Sequence, residues 1–261
     1  GRYLATICVD RLATLGEALG VLGVENPEQP SQSNLEVALE PVLEELERLL
    51  GTRLSAPPVG GPLGVNVAGR LIGFRTCDHA YTVWLMKETL QTLQSPEKAH
   101  VAEIGGGFGG VALFAAKMGI GHYTVYDLLH VNSIQAYYLL KSLPGDKVSL
   151  YGEPAGGATV AIQPHFAFGT DQARIDLTLN QDSFPEIPSA VVVDYLRNIR
   201  LRSRMFLSLN QEAQAPSGDG DERQGWVSKL VKDVGGFRRL RRSPYWMRAG
   251  YTEEVYAVEA S

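Results

Sequence analysis

Five glycines within six positions follow a short apolar run, and they constrain this chain more than any other feature of its sequence. Residues 101–104 read Val-Ala-Glu-Ile, and glycines stand at positions 105, 106, 107, 109 and 110. Glycine adopts left-handed backbone conformations freely and lets the main chain approach a ligand more closely than a residue with a Cβ. A helix that begins directly after the turn adds unpaired backbone N–H groups. The segment therefore predicts a ligand site at the carboxyl end of a buried strand.

Two classes of nucleotide ligand fit this turn. The spacing Gly105-x-Gly107-x-x-Gly110 matches the dinucleotide fingerprint, and Asp127 follows at the distance of a ribose-binding acid. However, Glu103 stands two residues before the turn, where the dinucleotide fingerprint has an apolar strand end. A carboxylate there favours a ligand with a positively charged amino-acid head group and no pyrophosphate. S-adenosylmethionine is such a ligand, and a nicotinamide cofactor remains the alternative.

Composition and cysteine content place the chain among ordinary globular proteins. It has 261 residues, 44% of them hydrophobic and 20% charged. The two cysteines, Cys8 and Cys77, are too few for a disulfide framework and lack metal-site spacing, which favours a reducing compartment such as the cytoplasm. No apolar run reaches the length of a membrane span. Because the chain begins with Gly1 and not Met, we expect a domain cut from a longer polypeptide.

The pattern of apolar residues divides the chain into two regions. Residues 1–95 show helical spacing, with helices expected around 39–50 and over 78–94, and we interpret this region as a helical lid. Residues 96–261 alternate between strand and helix patterns, which predicts a mostly parallel sheet covered by helices and closed by an antiparallel hairpin. The strands are expected at 101–104, 122–127, 147–150, 175–180, 205–210, 237–246 and 253–258.

Charge is distributed unevenly along the chain. The net charge of −5 argues against a nucleic-acid-binding protein. Residues 191–250 nevertheless carry an excess of six positive charges. This stretch is either a solvated surface or a docking face for a phosphate-bearing substrate or an acidic partner.

Four segments together resemble a known group of enzymes. They read AEIGGGFGG at 102–110, YTVYDL at 123–128, LNQDSFPE at 179–186 and FLSLN at 206–210. Over residues 70–258 the chain is similar to class I methyltransferases, in particular to sugar O-methyltransferases and to the O-methyltransferase domains of modular polyketide synthases. The resemblance implies an α/β, Rossmann-like fold with a seven-stranded sheet, and S-adenosylmethionine as methyl donor with S-adenosylhomocysteine as product.

The same resemblance suggests the acceptor. A hydroxyl group on a polyketide intermediate, tethered to an acyl carrier protein, is the expected acceptor, and a free sugar hydroxyl is the alternative. Two alternative functions belong to other classes of protein: an oxidoreductase that uses NAD(P), and a scaffold without catalytic activity. No nucleic acid or membrane is expected as a partner.

The candidate cofactor residues lie at the expected carboxyl ends of the strands. In open α/β sheets, ligands bind at this edge. His165 is included because it stands among proline and aromatic residues just before a strand. The predicted set is Glu103, Gly105, Gly106, Gly107, Gly109, Asp127, Leu128, His165 and Asn180.

Methyl transfer to a hydroxyl usually needs a general base, and His79 with Glu186 is the predicted pair. His79 starts the helix that leads into the first core strand, and Glu186 follows a later strand by a short turn. A carboxylate that orients an imidazole keeps it in the tautomer that accepts a proton. His165 is the substitute base. We expect no metal, because Asp182 and Glu186 flank a proline and no His-x-x-His or Asp-x-Asp pattern accompanies them.

Overall fold

The computed structural model describes residues 2–26, 28, 37–154, 156–212 and 226–259. The chain forms two compact units, residues 1–85 and residues 86–261. In the described part of the chain, no helix is both long and apolar enough to cross a lipid bilayer. Each unit is described separately below.

The N-terminal unit combines helices with a short hairpin. Val42, Leu43, Leu46 and Leu50 bury one face of the second helix, as their spacing predicts, and Gly51 ends it in a left-handed conformation. The antiparallel hairpin was not predicted, because its strands are only four residues long. The elements are α1 (Arg2–Ala18), α2 (Leu39–Leu50), β1 (Gly64–Val67), β2 (Arg70–Gly73) and α3 (Thr76–Gln91), of which α3 continues into the second unit.

The described residues of the C-terminal unit form an eight-stranded sheet with helices between its strands. The helices are α4 (Gly110–Lys117), α5 (Leu129–Ser142), α6 (Ser189–Arg202) and α7 (Val227–Val234). The strands are β3 (His100–Ile104), β4 (His122–Asp127), β5 (Val148–Ser149), β6 (Val160–Pro164), β7 (Ile175–Gln181), β8 (Ser203–Gln211), β9 (Phe237–Pro244) and β10 (Tyr251–Val258).

The strand order is β5-β6-β4-β3-β7-β8-β10-β9. The pairs from β5 to β8 are parallel, and β10 runs antiparallel to both β8 and β9. The expected Rossmann-like architecture with a C-terminal antiparallel hairpin is therefore confirmed. The strand order reverses between β4 and β7, on the two sides of β3, and a ligand crevice forms at such a point outside the carboxyl ends of the strands.

The structure differs from the predicted strands in one region of the sheet. The strand expected at 147–150 shrinks to the two residues of β5, and β6 takes the place beside β4. The sequence did not indicate β6, because it is short and ends in a proline that pairs with Asp127 at the last position of the ladder. With β5 counted, the sheet has eight strands where seven were expected.

Aromatic residues fill the core on one face of the sheet. Phe168, Phe184, Phe206 and Tyr256 are buried there in contact with each other or with Tyr195. The apolar stripe of α6 packs on them through Val192, Leu196 and Ile199. This packing fixes β7 and β8 as the rigid base of the turns that follow them.

Candidate functional site

The glycine turn joins β3 to α4. Ser183 packs against Gly105, and Glu103 packs against Gly106. Gly105, Gly107 and Gly109 have φ values of +78°, +53° and +94°, which L-residues with side chains rarely adopt. A Cβ at Gly105 would lie 2.2 Å from Ser183 Oγ, whereas a Cβ at Gly107 would meet open space. The turn thus leaves room for a ligand above Gly107.

Glu103 lies beneath this turn. Its side chain is 1% exposed, and a Cβ on Gly106 would stand 2.8 Å from its Oε2. No described residue donates a hydrogen bond to that oxygen. Burial raises the pKa of Glu103 to about 7; the Asp127 charge adds to this shift and the Tyr123 hydroxyl opposes it. A buried carboxylate oxygen without a donor is costly, so a bound cationic group or water would relieve it.

Asp127 ends β4 and is held by the helix that follows. Its Oδ1 accepts a hydrogen bond from the Leu128 N–H (2.8 Å), and its Oδ2 accepts one from Gln135 Nε2 (2.9 Å). The same Gln135 nitrogen donates to the Gly107 carbonyl oxygen (2.9 Å). Partial burial raises the pKa of Asp127, and backbone N–H donors oppose the rise. The acid and the glycine turn are therefore fixed relative to each other.

Gln135 is a site residue that the sequence interpretation missed. It is fully buried on α5, two helical turns after Asp127, and Asn132 Nδ2 donates to its Oε1 (3.0 Å). The sequence could have indicated it, because Gln135 is a glutamine in the helix that directly follows Asp127. A buried amide there needs polar partners, and the glycine turn supplies one of them.

Asn180 ties the end of β7 to the end of β3. Its Nδ2 donates to the Ile104 carbonyl oxygen (2.9 Å) and to Ser183 Oγ (2.6 Å). Ser183 Oγ also donates to the Ile104 carbonyl oxygen (3.0 Å), and Asn210 Nδ2 donates to Asn180 Oδ1 (3.0 Å). The structure thus gives Asn180 a supporting part under the glycine turn, and its predicted contact with the cofactor stays a prediction.

Leu128 directly follows β4 and His165 directly follows β6. These two strands are paired, so both residues lie at the carboxyl edge of the sheet. Leu128 follows Asp127 and is 48% exposed, and His165 follows Pro164, which pairs with Asp127 in the sheet. The His165 ring meets the exposed ring of Phe166 edge-on, with 5.5 Å between centroids. These exposed apolar and aromatic surfaces can receive a flat ring beside Asp127.

The predicted base and its orienting acid fall in different units. His79 is buried in α3, and burial together with the charges of Arg75 and Arg11 lowers its pKa to about 3. The imidazole is therefore neutral at physiological pH. Glu186 is exposed in the short turn after β7, on the carboxyl side of the sheet. The pairing of these two residues stays a prediction.

Neither the acids near Glu186 nor the cysteines form a metal-binding group. Among the described residues, no three His, Cys, Asp or Glu side chains are placed to hold a metal ion. Asp182 instead accepts hydrogen bonds from Arg248 Nη1 at both carboxylate oxygens (2.7 and 2.6 Å). The expectation of a metal-free site stays a prediction.

Comparison with known proteins gives matches among solved structures alone. No protein-family model matches the sequence. No curated protein matches it either. The chain is similar to the mitomycin 7-O-methyltransferase MmcR, with 15% identity, a TM-score of 0.47, and coverage of 71% of this chain and 56% of MmcR. It is also similar to magnesium protoporphyrin IX methyltransferase (ChlM) from Synechocystis PCC 6803, solved with bound SAH, with 14% identity, a TM-score of 0.49, and coverage of 71% and 85%.

These matches cover about 70% of this chain. This chain spans just over half the length of MmcR, and it covers 57% of the pyocyanin biosynthetic protein PhzM at 14% identity and a TM-score of 0.49. The strand order described above, with its antiparallel strand inserted beside β8, agrees with the sheet that the sequence resemblance implied. The fold is an α/β, Rossmann-like sheet with a C-terminal antiparallel hairpin. In this fold the glycine turn, Glu103 and Asp127 meet at one edge of the sheet, where their sequence positions predicted them.

Proposed function

We propose that this chain is an S-adenosylmethionine-dependent O-methyltransferase. One observation supports this most strongly: the open glycine turn lies between Asp127 and Glu103, and Glu103 keeps a buried carboxylate oxygen that no described residue satisfies. An amino-acid head group carries the positive charge that such an oxygen needs. The ribose hydroxyls of the same ligand fit Asp127, whose position is fixed by Gln135.

A nicotinamide dinucleotide fits the same residues less well. Its pyrophosphate would have to lie at a turn that holds the carboxyl group of Glu103 buried at its base. When ionised, that group repels a ligand of the same sign. The oxidoreductase therefore remains the second candidate.

The chemistry divides between the ligand and the protein. When bound, S-adenosylmethionine supplies a methyl group on a sulfonium sulfur for an in-line displacement. The chain would bind the ribose through Asp127, pair the head group with Glu103, and receive the adenine between Leu128 and His165. We assign proton removal from the acceptor hydroxyl to His79, with Glu186 as its orienting acid, because the sequence places one at the start of α3 and the other after β7.

Calorimetric titration tests the cofactor. We expect S-adenosylhomocysteine to bind the wild-type protein and NADH not to bind. Asp127→Asn should weaken S-adenosylhomocysteine binding, whereas Asp146→Asn, at an exposed acid in a surface turn, should not. Binding of NADH alone would overturn the assignment. If EDTA abolished methyl transfer and Mg²⁺ restored it, the expectation that no metal takes part would be wrong.

We assign the acceptor to a hydroxyl on a carrier-bound polyketide intermediate. The support is the basic strand β9 at the outer edge of the sheet, where Arg238, Arg239, Arg241 and Arg242 are exposed. Three of these arginines pair with Glu253 or Glu254 of β10, and Arg238 keeps its charge at the surface. An acidic carrier protein suits such a strand. We place the activity in the cytoplasm, since Cys8 and Cys77 are both free thiols.

A comparison of acceptors separates the two substrate classes. Transfer to a 3-hydroxyacyl chain on an acyl carrier protein should exceed transfer to the same chain on free pantetheine and to a nucleotide sugar. Arg238→Glu should raise the KM for the carrier-bound acceptor several-fold, and Lys98→Glu, at an exposed residue just before the central strand β3, should leave it unchanged. Methylation of the nucleotide sugar alone would replace this acceptor with the sugar.

A further inference from the structure

The turn after β7 contains an unusual backbone conformation. Asp182 has a φ of +68°, and among the described residues it shares a positive φ outside glycine with Ala68 alone. Aspartate tolerates the left-handed region better than most residues, but the conformation still costs free energy unless the surroundings hold it. A contact that holds Asp182 therefore controls the shape of this turn.

Arg248 makes that contact from a different loop at the same edge of the sheet. It stands in the loop between β9 and β10, and its Nη1 donates to both carboxylate oxygens of Asp182. Its guanidinium carbon lies 3.8 Å from the ring centroid of Tyr251, so the side chain is stacked as well as paired. The Asp182 N–H donates to the Leu209 carbonyl oxygen of β8 (3.1 Å), which fixes the backbone from a second side.

The same turn supports the glycine turn directly. Ser183, the next residue, donates to the Ile104 carbonyl oxygen and lies where a Cβ on Gly105 would clash. A change in the backbone at Asp182 would therefore move Ser183 and remove the support below Gly105. Two contacts link Arg248 to the glycine turn: Arg248 with Asp182, and the neighbouring Ser183 with the Ile104 carbonyl oxygen.

We propose that Arg248 is a positioning residue for the cofactor turn, acting through the left-handed backbone of Asp182 and the side chain of Ser183. The proposal rests on the proposed function, because the turn is taken to bind S-adenosylmethionine. Arg248 itself need not touch that ligand.

The chain offers a control and a rescue for this proposal. Arg242 is a second hairpin arginine, and it pairs with Glu212 and Glu254 away from the turn. Arg242→Met should therefore reduce stability without changing affinity for S-adenosylhomocysteine. Glycine adopts a φ of +68° without strain, so Asp182→Gly should remove the need for Arg248, whereas Asp182→Ala should not.

The experiment is a titration of these variants with S-adenosylhomocysteine, each checked by thermal unfolding. Arg248→Met should weaken binding about tenfold. Asp182→Ala should weaken it at least as much. The double variant Asp182→Gly with Arg248→Met should bind within about threefold of wild type, because only the backbone conformation has to be preserved.

A second readout uses the protein without any ligand. The Gly105 N–H donates to the Tyr126 carbonyl oxygen (2.9 Å), and the Gly109 N–H to the Gly106 carbonyl oxygen (3.0 Å). Amide hydrogen exchange at these two glycines should be faster in Arg248→Met and unchanged in Arg242→Met. Unchanged exchange in Arg248→Met, or no rescue by glycine, overturns the proposal. Wild-type protein that binds no S-adenosylhomocysteine while its variants show the expected exchange overturns the proposed function and leaves the positioning role standing.

Discussion

Glu103 is a buried carboxyl group whose ionisation costs the folded chain free energy. Its pKa rises from an ordinary value of 4.5 to about 7, with burial as the main cause. A carboxyl group with a higher pKa in the folded state binds more protons there, so the free energy of unfolding falls as pH rises between these two values. Above pH 7 the penalty is fully present.

Replacement of this acid should separate stability from ligand affinity. Glu103→Gln should raise the free energy of unfolding by about 1 to 3 kcal/mol at pH 8, because the amide carries no charge. The gain should shrink as pH falls toward 4.5. Denaturant unfolding at several pH values measures it, with Glu97→Gln, at an exposed acid, as the matched control. A gain that is independent of pH would contradict the assigned pKa.

The same substitution should weaken S-adenosylhomocysteine binding, since the ligand's amino group loses its partner. In the wild-type protein, affinity should increase as pH rises through 7 and Glu103 ionises. Glu103→Gln should flatten this dependence. Titration at pH 6 and pH 8 provides the comparison, and equal affinities of wild-type protein and variant at pH 8 would remove Glu103 from the site.

His79 provides the second prediction at the level of single residues. Its pKa of about 3 means that the imidazole stays neutral from pH 5 to pH 8. At saturating S-adenosylmethionine, the wild-type rate should therefore show no loss from protonation of His79 in that range. His79→Ala should reduce turnover about 10²-fold or more and leave the affinity for S-adenosylhomocysteine intact.

The control for His79 is His122, an exposed residue at the amino end of β4. His122→Ala should leave turnover unchanged, because the strand begins at the edge opposite the glycine turn. Equal rates for wild-type protein and His79→Ala would assign the base to another residue, with His165 as the next candidate.

At the scale of elements, the connection between β3 and α4 depends on the absence of side chains. Gly105→Ala combines a φ of +78° with a Cβ 2.2 Å from Ser183 Oγ, so the connection would have to distort. We expect about 1 to 3 kcal/mol of lost stability and at least a tenfold loss of S-adenosylhomocysteine affinity. Unfolding and titration experiments measure the two effects. Gly145→Ala, at a surface turn where a Cβ meets open space and φ is not positive, should change neither.

The elements that the sequence predicted correctly share a strong local pattern. The stripe of α2 and the runs of β3, β4 and β7 are long enough, or apolar enough, to be read without tertiary information. β6 and the hairpin of β1 and β2 are four or five residues long, and they exist because neighbouring strands hold them. α7 was missed although it is as long as α4, because no glycine turn or other motif marks where it begins.

The site shows the same division between local and tertiary information. Glu103 and Asp127 could be proposed from the sequence because each stands at a fixed distance from the glycines. Ser183 and Arg248 were not identified, because their parts depend on contacts between residues 79 and 66 positions apart, which leave no local pattern. Gln135 was missed although it lies only eight residues after Asp127, the acid that it contacts.

For the whole molecule, ligand binding should be visible as added stability. A ligand that binds the folded state alone adds about 2.7 kcal/mol to the free energy of unfolding at 100 times its Kd. S-adenosylhomocysteine at that concentration should raise the Tm of the transition that unfolds the C-terminal unit by about 5 to 10 °C. Differential scanning calorimetry measures the shift, and NADH at the same concentration should give none. An equal shift with both ligands would indicate a site without the predicted preference.

The outermost strand has a consequence for how the protein behaves in concentrated solution. β9 is the terminal strand of its sheet, its register shifts at Leu240, and exposed arginines stand on both sides of that irregularity. A strand from another copy could extend the sheet there only if it desolvated several guanidinium groups on an uneven ladder. Strand addition at β9 is therefore unfavourable, and β9 does not provide an edge from which fibres could grow.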